Sequence, residues 1–198
     1  MKALPLSLVV TCLLAIAMCA GCSTAPDQMA VELVAEMGGK VKTDPEGRIV
    51  EVNLSHTKAG DGSLPFLTAL PDVRTLNLSD TPISGRTLAE LAALPGLQNL
   101  YLGGTQLDDD GLAQLRPLVA LETLHLGRTK ITDAGLPALK SMTRLRTLAL
   151  GDTAITDAGL ANFRDMHDLA TLVLRRTKVT PKGVQELRRS LPKTQIDR

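Results

Sequence analysis

"LHLGRTKITDAGLPAL" (Leu124–Leu139) and "LALGDTAITDAGLANF" (Leu148–Phe163) carry the same six residues, Ile-Thr-Asp-Ala-Gly-Leu, 24 positions apart and with matching flanks. A repeat of that length fixes the reading of everything around it, because one unit of it cannot be a fold by itself. Working outward, the chain cuts every 24 residues from Ile49 without a gap. The units open "IVEVNLSHT", "VRTLNLSDT", "LQNLYLGGT", "LETLHLGRT", "LRTLALGDT" and "LATLVLRRT", at Ile49, Val73, Leu97, Leu121, Leu145 and Leu169.

Within each unit places one, four and six are apolar, and place nine is threonine: Thr57, Thr81, Thr105, Thr129, Thr153 and Thr177. Apolar residues at four and six, separated by a polar one, predict a short strand with one buried face. The second half of the unit changes period. Leu136, Leu139 and Met142 stand three apart, as do Leu160, Phe163 and Met166, which predicts a helical apolar stripe. Thr132-Asp133 and Thr156-Asp157 precede these helices as capping residues do. A glycine at place fifteen (Gly111, Gly135, Gly159, Gly183) sits at the helix start, where it permits close approach between layers. Each unit therefore reads strand, loop, helix, loop. Stacked units bury one another's leucines, with strands pairing about 4.8 Å apart into a parallel sheet and helices outside.

The stretch "LETLHLGRTKITDAGLPALKSMTR" (Leu121–Arg144) resembles the leucine-rich repeat pattern LxxLxLxxTxITDxGLxxLxxLxx. The resemblance covers Ile49 to about Pro192 in six in-register copies, and the threonine form is most similar to bacterial repeat proteins such as those of planctomycetes. Eukaryotic F-box proteins carry similar repeats with Cys at place nine. No F-box precedes these repeats, so an adaptor function is not carried over. The resemblance implies an α/β leucine-rich repeat solenoid, with a concave parallel sheet that binds partners and helices on the convex face.

The ends depart from the repeat. Residues 1–21 read as a signal peptide: Met1 and Lys2 precede an uncharged apolar run that is short for a membrane span. Ala20-Gly21-Cys22 resembles the bacterial lipobox, which implies lipidation at Cys22 and a membrane anchor, with Cys19 standing where that family usually has Leu. Cleavage by the ordinary signal peptidase is the other reading. All three cysteines lie in this leader, so the mature chain has no disulfide framework. Residues 22–26 form a tether. Residues 27–48 form a cap: a helix capped by Asp27 with Ala30, Leu33, Val34 and Met37 inward, ended by Gly38-Gly39, then a hairpin around Asp44–Gly47. Six repeats fill 49–192, and 193–198 add a final edge strand near Thr194–Ile196.

Composition narrows the function. Lys plus Arg is 22 and Asp plus Glu 21, a balance that argues against a nucleic-acid coat. Aromatic residues are 2% of the chain, too few for a base-stacking channel. The recognition candidates are the outward places. Place five holds Asn53, Asn77, Tyr101, His125, Ala149 and Val173, and place eight holds His56, Asp80, Gly104, Arg128, Asp152 and Arg176. Any one of them is a solvated position by default, but the strip as a whole, centred on Tyr101, His125 and Arg128, reads as a binding face. His56 and Asp80 are placed to neighbour each other without a nucleophile or pocket, so catalysis is not expected. Asp109, Asp133 and Asp157 form a column at place thirteen; calcium is conceivable, and a helix N-terminus accounts for them better. Asn53 and Asn77 begin glycosylation-type triplets for which a bacterial lipoprotein has no reader.

Charge is uneven. Residues 22–72 hold four basic and eight acidic side chains (net −4), and residues 169–198 hold eight basic and two acidic (net +6). The resulting expectation is a lipid-anchored, extracytoplasmic module of the bacterial envelope that performs no chemistry and needs no cofactor or metal. It binds another protein through Asn77, Asp80, Tyr101, His125, Arg128, Asp152 and Arg176. The alternative is a structural envelope protein whose basic C-terminal end (Arg175, Arg176, Lys178, Lys182, Arg188, Arg189, Lys193, Arg198) holds cell-wall polymer or anionic headgroups.

Overall fold

The computed structural model describes residues 25–198. The expected signal peptide, with Cys12 and Cys19, and the lipidation site at Cys22 lie outside the described residues. Helix α1 (Ala25–Glu36) opens the fold, followed by strands β1 (Lys40–Thr43) and β2 (Ile49–Asn53). Then come β3 (Thr75–Asn77), β4 (Asn99–Tyr101), β5 (Thr123–His125), β6 (Thr147–Ala149), β7 (Thr171–Val173) and β8 (Gln195–Asp197).

The eight strands form one open sheet in chain order. β1 runs antiparallel to β2, and every later pair is parallel. Register is the repeat itself: Glu51 pairs with Thr75, Thr75 with Asn99, Asn99 with Thr123, and so on to Thr171 with Gln195. A slip of one residue would turn every leucine to solvent, so the alternating pattern locks this register. In unit four, Leu121, Leu124, Leu126, Ile131, Leu136, Leu139 and Met142 are all at 0% exposure. The same places are buried in the neighbouring units, which makes one continuous aliphatic core.

The outer side differs from expectation. Instead of an α-helix per unit, four units carry 3-10 segments (Asp61–Ser63, Leu88–Ala93, Leu136–Ser141, Gly159–Phe163). Two carry short α turns, α2 (Leu64–Leu67) and α3 (Asp109–Ala113). Only the last unit has a longer α-helix, α4 (Pro181–Ser190). The reason lies in the spacing. Leu136, Leu139 and Met142 recur every three residues, which is the 3-10 period and places them in one eclipsed row. An α-helix is also about 10 Å wide against strands about 4.8 Å apart, so a full helix in each layer would splay the stack. The last helix has no following helical layer to crowd it.

The first helix begins earlier than the sequence reading placed it. α1 begins at Ala25, ahead of Asp27, with Pro26 in the first turn where its missing N–H costs nothing. Ala30, Leu33 and Val34 are buried, and Gly38 ends the helix at φ +82°. The hairpin turn is closed by Asp44, whose Oδ1 accepts the N–H groups of Glu46 and Arg48 at 3.1 and 2.9 Å. The final strand forms at Gln195–Asp197, within one residue of the expected place.

Candidate functional site

Two side-chain ladders set the loops that frame the sheet face. The first is the threonine of place nine. Each hydroxyl donates to the leucine carbonyl three residues earlier: Thr57 to Leu54 at 2.7 Å, Thr81 to Leu78 at 2.6, Thr105 to Leu102 at 2.7, Thr129 to Leu126 at 2.7, Thr153 to Leu150 at 2.6 and Thr177 to Leu174 at 2.8. The four central threonines are buried, so their hydroxyls need a partner and have one.

The second ladder is the aspartate column. Asp109 Oδ1 accepts the Thr132 N–H at 2.8 Å and its Oδ2 the Thr132 hydroxyl at 2.6 Å. Asp133 does the same for Thr156 at 2.9 and 2.5 Å, and Asp157 for Thr180 at 2.7 and 2.6 Å. Asp61 of the first unit serves Ser84 and Gly85 of the second. These carboxylates tie one layer to the next, a role that the helix-dipole reading missed. The glycine at place fifteen makes room for them: a side chain at Gly135, Gly159 or Gly183 would collide with Oδ1 of Asp109, Asp133 or Asp157. The co-occurrence of Asp at thirteen with Thr or Ser at twelve was the signal. It fails once, where Gly85 faces Asp108, and Asp108 instead accepts the N–H of Gly111 in its own unit at 2.9 Å.

The expected recognition strip splits in two. Place five is the last residue of every repeat strand, from Asn53 to Val173. Place eight, expected on the strand, lies beyond it in a turn with left-handed backbone: His56, Asp80, Arg128, Asp152 and Arg176 have φ of 55–58° and Gly104 71°. A non-glycine residue there is strained by about 1–2 kcal/mol. The ladder overrides that strain, because place-eight N–H groups still donate across the sheet, His56 to Ser79 at 2.9 Å and Arg128 to Gly151 at 2.8 Å. The turn drives threonine nine inward.

Place eight is a column of paired charges. The Arg128 guanidinium reaches Asp80 at 2.9 Å across the intervening unit, and Gly104 permits it, since a side chain there would occupy the Asp80 carboxylate. His56 Nδ1 lies 3.5 Å from Asp80 Oδ2, so the anticipated neighbours do meet. Arg176 grips both oxygens of Asp152 at 2.5 and 2.7 Å, and its hydrogen bond holds that carboxyl below the usual carboxylate range. Tyr101 and His125 stand side by side with ring centroids 6.1 Å apart and planes tilted by 32°. Partial desolvation, then the charge of Arg128, hold the His125 imidazole below its ordinary pKa, so it is neutral near pH 7. Asn77 turns inward to its own chain, its Oδ1 accepting the Ser79 N–H at 3.0 Å. Ala149 is buried at 3% exposure and presents no contact surface.

At the C-terminal end Arg175 pairs with Asp197 and Arg176 with Asp152. Among the described residues Lys178, Lys182, Arg188, Arg189 and Lys193 have no ion-pair partner and are exposed. Among the described residues no helix is long and apolar enough to cross a membrane.

With this geometry in hand, similarity to known proteins is informative. Residues 121–140 and 141–163 each match the family model described as Leucine Rich repeat. No curated protein matches the sequence. Among solved structures, an internalin of Listeria monocytogenes superposes with a TM-score of 0.58 at 20% identity, over 74% of this chain and 39% of its own. A leucine-rich repeat protein of Leptospira interrogans gives 0.58 at 23% identity, over 75% and 37%. A second Listeria internalin gives 0.58 at 20% identity, over 86% and 82%. The chain spans under two fifths of the length of the first two structures. Six copies of a 24-residue leucine unit, with residues 121–163 matched by the leucine-rich repeat model, stack in an open parallel sheet, the fold seen in those structures.

Proposed function

We propose that this protein is a non-enzymatic module that captures another protein on its strand face, from a lipid anchor at Cys22 in the bacterial cell envelope. Leucine-rich repeat domains generally bind proteins and are typically non-enzymatic. The observation that carries the reading is the mixed surface at the centre of the sheet: Tyr101 beside a neutral His125, bordered by the Asp80–Arg128 pair, on strands in fixed register. Aromatic and Arg side chains are the usual anchors of protein interfaces. Neighbouring layers lie about 4.8 Å apart, so one partner touches several units.

Replacing Tyr101, His125 and Arg128 together by Ala should abolish partner capture from native envelope while shifting thermal unfolding by only a few degrees. The matching outer-face change of Gln114, Lys140 and Arg164 should do neither. Loss of capture by the outer variant alone would place the site on the wrong face. Cys22→Ala should move the protein out of the detergent phase, and unchanged partitioning would remove the anchor.

The alternative use is of the basic end. Five unpaired cations there favour an anionic polymer or headgroup surface, with binding lost in salt. Salt-sensitive retention on isolated cell wall or anionic vesicles, with the strand-face variant still retained, would favour it.

A further inference from the structure

We infer that the strand face of units three to five is a seat for an acidic stretch of the partner polypeptide, held by the main-chain N–H groups of Gly103, Gly127 and Gly151. This deepens the strand-face reading and rests on it. The starting observation is how the first two units treat the same N–H, that of place seven. Ser55 donates its N–H to Asn53 Oδ1 at 2.9 Å, and Ser79 donates to Asn77 Oδ1 at 3.0 Å. An asparagine standing on the strand face reaches each of them, so the place-seven N–H opens onto that face.

Units three to five keep the N–H and lack the acceptor. Place five there is Tyr101, His125 and Ala149, and among the described residues none of the three glycine amides donates to a protein oxygen, although the flanking amides of places six and eight all pair across the sheet. Gly103 and Gly127 are nonetheless buried. Buried backbone N–H groups are almost always paired, and an unpaired one is a group waiting for an acceptor. Glycine at all three places adds no side chain of its own, and the His125 ring lies beside Gly103 and Gly127, in a row about 4.8 Å from layer to layer.

What surrounds the row selects the ligand. The carboxylates beside it, Asp80 and Asp152, are consumed by Arg128 and Arg176. Nothing left on this part of the face is a free carboxylate, whereas N–H groups and guanidinium edges remain. A surface with donors in surplus is matched by acceptors in surplus. Asp and Glu side chains on an extended segment fit best, since bonds to a charged oxygen are shorter and stronger than those to a neutral carbonyl.

The test uses the full chain labelled with 15N-glycine, two capped hexapeptides as probes and two variants at Ala149. A Ser-Glu alternating hexapeptide should move the Gly103, Gly127 and Gly151 amide protons downfield, and its Ser-Lys counterpart should not. Ala149→Asn rebuilds the acceptor of units one and two beside Gly151. It should move the Gly151 amide downfield without peptide and weaken the Ser-Glu titration about fivefold. Ala149→Val, the residue of unit six at this place, adds bulk without an acceptor and should leave the titration within about twofold. Silence of the three glycines toward the Ser-Glu peptide, or equal effects of Asn and Val, overturns the seat. Capture lost in the Tyr101/His125/Arg128 variant with silent glycines would sink the seat and spare the strand face. Responding glycines with capture unaffected by that variant would do the reverse.

Discussion

Units one and two and units three to five share one register and one core, yet they handle the same backbone in opposite ways. In the first pair Asn53 and Asn77 close the place-seven N–H within their own units, and serine stands at that place. In the next three units the closing side chain is gone and glycine stands at that place, its N–H without an acceptor among the described residues. The two regions also meet at the one break in the aspartate ladder, where Gly85 and Asp108 replace the Asp–Thr pairing seen on either side. A repeat protein can therefore keep its fold constant layer by layer and still divide its surface into a self-satisfied part and an open part. The leucines decide the first, and a few polar places decide the second.

The largest expected effect lies at the border itself. Gly85→Asp with Asp108→Thr completes the residue pattern of the ladder, and Gly85→Asp alone supplies its carboxylate. Gly85, however, sits at φ +100°, and a side chain there would meet Leu107 Cδ1 at 2.5 Å and Gly111 Cα at 2.7 Å. Both variants should lose about 2–4 kcal/mol in denaturant unfolding, from left-handed strain and overpacking. Full rescue by the double change would show that pairing, rather than backbone, sets the break.

Next comes the threonine ladder. Thr129→Val strands a buried Leu126 carbonyl and should cost about 1–3 kcal/mol. Thr57→Val, in the half-exposed first unit, should cost less, about 0.5–1 kcal/mol, because water replaces the hydroxyl. Equal midpoints for the two would erase the difference between end and centre.

Asp133→Ala removes the acceptor of both the Thr156 N–H and its hydroxyl, and about 1–2 kcal/mol should go with it. The same change at Asp108, which serves only its own unit, should fall at the lower end of that range.

The smallest effect is in acid. Hydrogen bonds from the Thr180 hydroxyl and N–H hold Asp157 below the usual carboxylate range, and the Arg176 hydrogen bond does so for Asp152. A depressed folded pKa gives stability that is present above the unfolded value, near 4, and is lost as pH falls through the folded one. The thermal midpoint should drop slightly below about pH 4, and less so in Asp157→Asn. A drop that begins already in the ordinary histidine range would point to His125 instead.

The sequence by itself determined the period, the register and the buried places. Those follow from where apolar side chains recur, and burial of leucine outweighs the alternatives in every layer. The threonine ladder was legible too, because a polar residue repeated in an apolar frame needs a partner close in the chain. Three things waited on the tertiary structure. The outer segments became 3-10 because neighbouring layers leave no width for a helix, although the spacing of three at Leu136, Leu139 and Met142 already carried that period. The aspartates proved to be ties between layers, since their partners stand 23 residues away and meet them only when units stack. The strand face resolved into paired charges and amides without an acceptor, with Arg128 reaching Asp80 over Gly104 and Gly103 set beside the His125 ring. Which donor finds an acceptor is settled by directions in space, and a one-dimensional pattern does not hold them.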